Sequence, residues 1–216
     1  MPEPRRRQAR VRWLGIATCC LAGMAQAHVQ PAQEAPQTDD TTLRCKDAGK
    51  VVNDYYGFTA LFPGSLHAYP DSPIDMTDHG CVVSLDDNAG SDRSIDLFAA
   101  YNAALDDTVR QATDERIDGM THDETIDHVI LVSRRGMSLG GLKAERSVIR
   151  YREKSTGRPH VSDVVTALRH VVKPSDGFSH TYTVSLTTTE EAYQGDRVTF
   201  EAILASWRTI RAEDSP

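Results

Sequence analysis

The stretch Ser179-His-Thr-Tyr-Thr-Val-Ser-Leu-Thr-Thr188 decides the fold. Tyr182, Val184 and Leu186 recur at every second position and face one way, while Thr181, Thr183, Ser185 and Thr187 face the other. One apolar face and one hydroxyl face predict a half-buried strand of an antiparallel sheet with a solvated side. Its neighbours carry the same period. Residues 161–172 and 142–151 read as strands, separated by the turn-forming run Ser155-Thr-Gly-Arg-Pro159. Residues 129–139 read as another, joined to the next by Gly140-Gly141, a pair that tolerates the positive φ of a tight hairpin.

Further towards the N-terminus, residues 55–62 place Phe58, Ala60 and Phe62 on one face, ended by Pro63-Gly64. A loop is expected through Tyr69-Pro-Asp-Ser-Pro73. Cys81, Val83 and Leu85 then alternate, and so do Ile95, Leu97, Ala99 and Tyr101 beyond the turn cluster Asp87-Asn-Ala-Gly-Ser91, so the two form an antiparallel hairpin. Two segments change period. Leu105, Val109, Ala112 and Ile117 are spaced for an amphipathic helix stopped by Gly119, with a further short turn of helix over residues 121–127. Phe200, Ile203, Leu204, Trp207 and Ile210 are spaced for a closing helix capped by Asp196, with Trp207 as its anchor on the sheet. The order is three strands, a helix, four strands, a helix. That is an α+β fold: an antiparallel β-sheet of six to seven strands flanked by helices.

The first 27 residues read as an address. Arg5, Arg6, Arg7, Arg10 and Arg12 precede an uncharged apolar run from Trp13 to Met24, and Ala25-Gln-Ala27 forms the A-x-A site of a signal peptidase. The run is too short and too rich in small residues for a stable membrane span. Cys19 follows Ile16-Ala-Thr18, a poor match to a lipid-attachment pattern, and the Arg5–Arg7 run lacks the surroundings of a twin-arginine signal. Residues 28–42 are rich in Pro, Gln, Ala and acid, a composition that predicts a flexible linker. Residues 43–212 are left for one α+β domain, in a periplasmic or secreted protein.

Export changes the composition. The chain has 24 Lys and Arg against 31 Asp and Glu, and the leader takes five Arg and one Glu; the mature product keeps 19 and 30, a net charge of −11. Such a field repels nucleic acid and anionic lipid and favours neutral or basic partners. Cys19 and Cys20 leave with the leader, which leaves Cys45 and Cys81 in an oxidising compartment. A Cys45–Cys81 disulfide is expected, with two buried free thiols as the alternative.

The layout resembles the PsbP-like superfamily of antiparallel α/β/α sandwiches. The residues that carry the likeness are Tyr56-Gly-Phe-Thr-Ala-Leu-Phe-Pro63, Ser138-Leu-Gly-Gly-Leu-Lys-Ala-Glu145, Tyr182-Thr-Val-Ser-Leu186 and Phe200-Glu-Ala-Ile-Leu-Ala-Ser-Trp207. These are packing patterns, so the resemblance implies a fold and a general class, non-enzymatic binding or assembly factors that are often exported, and carries over no site residue.

No chemical motif rises above the background of turns and strands. Asp71-Ser-Pro-Ile-Asp-Met-Thr-Asp-His79 gathers hard ligands but lacks EF-hand spacing, and Asp86-Asp-Asn-Ala-Gly-Ser-Asp92 sits where a hairpin turn needs the same residues. In His122-Asp-Glu-Thr-Ile-Asp-His128 the histidines are six apart; on a helix Glu124 and His128 would share a face, with a third ligand from His160, His170 or His180. Pro63-Gly-Ser-Leu-His67 brings Ser65 near His67 without an acid to orient the imidazole, and there is no G-x-S-x-G, P-loop or dinucleotide fingerprint. The reading is therefore an exported, non-catalytic, protein-binding or assembly factor of the cell envelope. It has no cofactor and no nucleic acid, and an immunity or inhibitor protein facing a basic partner is one form of it. A metal-dependent periplasmic hydrolase built on the 122–128 region is the alternative.

Overall fold

In the computed structural model of the chain, the described residues are 43–45, 49–70, 79–86, 92–104, 106, 108–170 and 179–210. The leader with Ala25 and Ala27, the linker, the loop 71–78, the turn 87–91 and Leu105 lie outside them. In chain order the elements are β1 (Leu43–Arg44), β2 (Lys50–Asn53), β3 (Phe58–Leu61), β4 (His67–Pro70), β5 (Gly80–Ser84), β6 (Ser94–Tyr101), α1 (Val109–His122), β7 (Ile126–Leu139), β8 (Leu142–Glu153), β9 (Pro159–Arg169), β10 (His180–Thr189), α2 (Tyr193–Ser206) and β11 (Arg208–Thr209).

The decisive stretch, β10, lies in the middle of a seven-stranded antiparallel sheet of order β4-β5-β6-β10-β9-β8-β7, and a smaller sheet has the order β1-β2-β3-β11. Register gives the layers. Tyr182, Val184 and Leu186 pair with Ala99, Leu97 and Ile95 on one side and with Ala167, Val165 and Asp163 on the other. With the exception of Asp163 these side chains form the main core, closed by Phe200, Ile203 and Leu204 of α2 and by Val51, Phe58 and Ala60 of the small sheet. Leu168, one residue beyond Ala167 and so on the opposite face, packs with Val109 and Ala112 of α1. Helices therefore cover both faces, the α/β/α arrangement expected. Trp207, 1% exposed, stacks on Phe58 at 5.9 Å and meets Tyr182 edge-on at 5.2 Å.

Several local expectations are corrected. The hydroxyl face of β10 is not solvated: Thr183 and Ser185 are buried, as are Thr166, Ser147 and Ser162 beside them. The first helix starts later and runs through Gly119 to His122, because Thr108 and Gln111 form a capping box that fixes its start. Gly119 lowers helix propensity by only ~1 kcal/mol and does not end the helix. Residues 123–125 form an Asx turn, in which the Thr125 amide donates to Asp123 Oδ1 at 2.8 Å, in place of the expected helical turn. Asp196 does not cap α2. The N-cap is Ala192, and Asp196 is buried in the first turn, accepting from Arg93 Nε at 3.0 Å. The helix stops at Ser206, so Trp207 enters the core from an extended backbone and Ile210 donates its amide to Gly57 O at 2.8 Å. The opening strand is shorter than residues 55–62, and the loop expected near Tyr69 contains β4, which pairs with β5.

Candidate functional site

Residues on β7, β8 and β9 that share the α2 side of the sheet build an arginine-lined groove. Pairing brings Arg135 opposite Arg146 and Arg146 opposite Val165; Ser133 lies opposite Val148, and Ile130 opposite Arg150, which faces Val161. The N-terminal turns of α2 add Tyr193 and Arg197. Val132, Val148 and Val161 supply apolar walls, and the cavity encloses about 300 Å³.

Arg146 is the fixed member. It is 4% exposed and donates from Nε and Nη2 to Asp163 at 2.7 and 2.6 Å and from Nη1 to Glu201 at 2.7 Å, with its guanidinium 5.3 Å above the Phe200 ring. The hydrogen bonds to Asp163 raise its pKa above the ordinary arginine value. Tyr193 donates to Asp163 Oδ2 at 2.7 Å; burial, and then that hydrogen bond, push its phenol up to about 12. Burial raises the Glu201 pKa, but the hydrogen bond from Arg146 and the charges of Arg146 and Arg197 outweigh it, so the carboxyl lies below its ordinary value. The outer arginines are looser. Arg150 is 3.2 Å from Glu190, Arg197 is 3.4 Å from Glu201, and exposed Arg135 has no ion pair among the described residues. Four guanidiniums thus face three carboxylates, of which Asp163 is wholly engaged below the surface. What reaches solvent is positive, apolar at its base and forked for planar oxyanions.

Cys45 and Cys81 are joined by a disulfide with Cα atoms 5.8 Å apart. The 122–128 segment does not assemble. His122 closes α1 with Nδ1 2.8 Å from Asp118 O, whereas Glu124 follows the helix and His128 sits in a β7 bulge at φ 53°. There His128 Nδ1 is 2.6 Å from Asp127 Oδ1, and Arg152 grips the same carboxylate, holding its pKa down at about 2. The shared helical face expected for Glu124 and His128 is therefore absent. His160 is buried and stacked on Tyr151, and His180 is half-buried, its pKa lowered by burial and then by Arg169. His79 is stacked between Tyr56 and Phe98, while Asp92 pairs with Arg158 at 3.1 Å. His67 is on exposed edge strand β4, opposite Ser84. Among the described residues no group of three or more His, Cys, Asp and Glu could hold a metal ion. No helix among them is long and apolar enough to cross a membrane. The groove itself was missed, although Arg146 and Arg150 stand an even number of residues apart in one strand, which puts both on one face.

An antiparallel α+β sandwich with an arginine-lined groove is the class these observations define. Cyanobacterial PsbP from Synechocystis sp. PCC 6803 shares its fold: TM-score 0.50 and 11% identity, with 83% of this chain and 99% of that one covered. The chain has the PsbP-like fold. Other solved structures found are LpqN of Mycobacterium tuberculosis, a protein involved in cell envelope biogenesis (TM-score 0.43, 13% identity, 73% of this chain and 96% of that one), and a point mutant of the protein Mog1 (TM-score 0.45, 9% identity, 73% and 93%). No protein-family model and no curated protein matches the chain.

Proposed function

We propose that this protein is an exported, non-catalytic binding or assembly factor of the cell envelope. The arginine groove between α2 and β7 is its working surface, and it takes a carboxylate-bearing segment of a protein partner. The observation that carries the reading is positive: three outer arginines converge on a 300 Å³ cavity in a chain whose net charge is −7. Export is supported by the leader and its Ala25–Ala27 cleavage pattern, and the Cys45–Cys81 bridge suits an oxidising compartment. The overall charge favours a basic partner, but the field within a Debye length of about 8 Å belongs to the nearest groups, and here three outer guanidiniums outnumber Glu190 and Glu201. An inhibitor or immunity role is one form of this reading, in which the captured segment belongs to the inhibited enzyme.

The test has two parts. Fractionation and N-terminal sequencing should find a mature chain beginning at His28 in the periplasm or medium. Crosslinking in intact cells should then trap a partner that the Arg135→Ala/Arg150→Ala double variant fails to trap, at unchanged fold by circular dichroism. A cytoplasmic full-length chain, or equal capture by the double variant, would reject the reading.

A further inference from the structure

The groove lies beside an open edge. Strand β7 is fourteen residues long, ends the seven-stranded sheet and, among the described residues, pairs with β8 alone. Ile130, Leu131 and Val132 are consecutive on it and 59%, 42% and 48% exposed. Three exposed large apolar residues in a row on an edge strand are a pairing and aggregation hazard that folded proteins ordinarily avoid. Two bulges interrupt the register, one between Asp127 and Ile130, just before this ridge, and one between Leu131 and Ser133, at Val132 itself. Beyond the second, residues 133–139 pair with 148–142 without a break, a regular segment as long as an ordinary strand. Gly136, at its centre, has no heavy atom within 4 Å of where a Cβ would stand, so the sheet face above it is uncovered.

Charge on the two faces of this segment is unequal. Arg134 points to the α1 side and is already paired, at 2.6 Å with Asp114 and 2.8 Å with Glu145. Arg135 points to the α2 side, towards the groove, and has no ion pair among the described residues. An extended segment lying along β7 would alternate its side chains between the same two faces. Carboxylates at every second residue would fall on the groove side, where Arg135 is nearest and Arg150 and Arg197 stand beyond it against Glu190 and Glu201, while the intervening residues would face the paired Arg134. A second copy of this acidic chain is a poorer occupant than an acidic strand of a partner, because it brings the same arginines to the same edge.

We infer that β7 accepts an extended partner segment with acidic residues at alternate positions, added as an eighth strand of the sheet, with residues 133–139 supplying the backbone hydrogen bonds. This rests on the groove reading and names how the partner is held. Main-chain pairing supplies affinity, the groove selects the acidic face, and Ile130 and Val132 cover the end of the added strand.

The probe is a nine-residue peptide alternating Glu and Thr, titrated against the mature protein at low salt. Two further peptides are N-methylated at the Glu positions only or at the Thr positions only. In a strand the amides of one alternate set face the neighbour and the other set faces away. One methylated peptide should therefore lose binding at least tenfold and the other should retain it, and the parent should slow amide exchange within residues 133–139. A peptide of the same composition with its Glu residues contiguous should bind more weakly. Equal binding by all four peptides, abolished by Arg135→Ala/Arg150→Ala, would overturn strand addition and leave the groove standing. A self-associated chain whose β7 amides are protected without peptide would overturn it too. No binding by any peptide, together with no effect of the double variant on partner capture, would remove both readings.

Discussion

Asp163 has no exposed surface, yet it holds a carboxylate that accepts from Arg146 twice and from Tyr193 once. A buried pair adds little net stability over an apolar replacement, but removing one partner strands the other charge. Asp163→Ala should cost about 3–5 kcal/mol by urea denaturation, whereas a double replacement of Arg146 by Met and Asp163 by Leu should recover much of it. An Asp163→Ala loss below about 1 kcal/mol would mean that Arg146 finds other acceptors. Tyr193 reports the same network in pH. Its folded pKa, about 12, lies above the ordinary phenol value of 10.0, so the fold favours the protonated form. The stabilisation is complete below pH 10 and lost as pH rises towards 12. Burial also raises the Tyr151 and Tyr182 phenols, so absorbance at 295 nm should show several late-ionising tyrosines, and Tyr193→Phe should remove the component near pH 12. Asp163→Asn should bring that transition down.

The hairpin β7–β8 shows how one element constrains another far along the chain. Gly140 and Gly141 both have positive φ, 55° and 89°, but only at Gly140 would a Cβ meet the Trp207 ring, 2.5 Å from Cε3. Gly141→Ala should therefore cost only the left-handed strain of about 1–2 kcal/mol. Gly140→Ala adds overpacking of about 1–3 kcal/mol and should perturb Trp207 fluorescence. Equal losses at the two positions would show that the indole yields freely. The turn itself was legible, because Gly-Gly between two alternating runs has little other use; its contact with Trp207 was not, since nothing local specifies it. The same division runs through the fold. Long strands with an apolar face, β6 and β8 to β10, announce themselves by period. Strands of two to four residues such as β1, β2, β4 and β11 are too short to carry a period; the first three are fixed by pairing with the next strand in the chain and β11 by pairing with distant β3. Asp196 looked like a cap because acids favour helix starts, whereas its partners Arg93 and Thr188 are set by tertiary structure. The groove belongs with these: its arginines were visible one at a time, and only the β7–β8–β9 register brings them together.

Across the whole molecule, the Cys45–Cys81 bridge ties the segment after β1 to β5, linking the small sheet to the large one over 36 residues. Chain entropy assigns such a loop about 3–4 kcal/mol, so Cys45→Ser/Cys81→Ser should lose that much in denaturant, and reductant should lower the wild-type midpoint to the same value. Charge is the other property of the whole, and it makes a kinetic prediction. An acidic ligand approaching the chain, whose net charge is −7 and would be −11 with the proposed leader removed, meets repulsion at long range and attraction only at the groove. Raising ionic strength from 0.01 to 0.15 M shortens the screening length from about 30 Å to about 8 Å. The long-range repulsion fades first, so the association rate of the alternating Glu–Thr peptide should rise or stay level over this range. The dissociation rate should climb as the guanidinium–carboxylate contacts weaken, and Arg150→Ala should raise it further at every salt concentration. A steep fall in association rate instead would place the dominant field at the groove's mouth, and the acidic remainder of the surface would then have no part in steering.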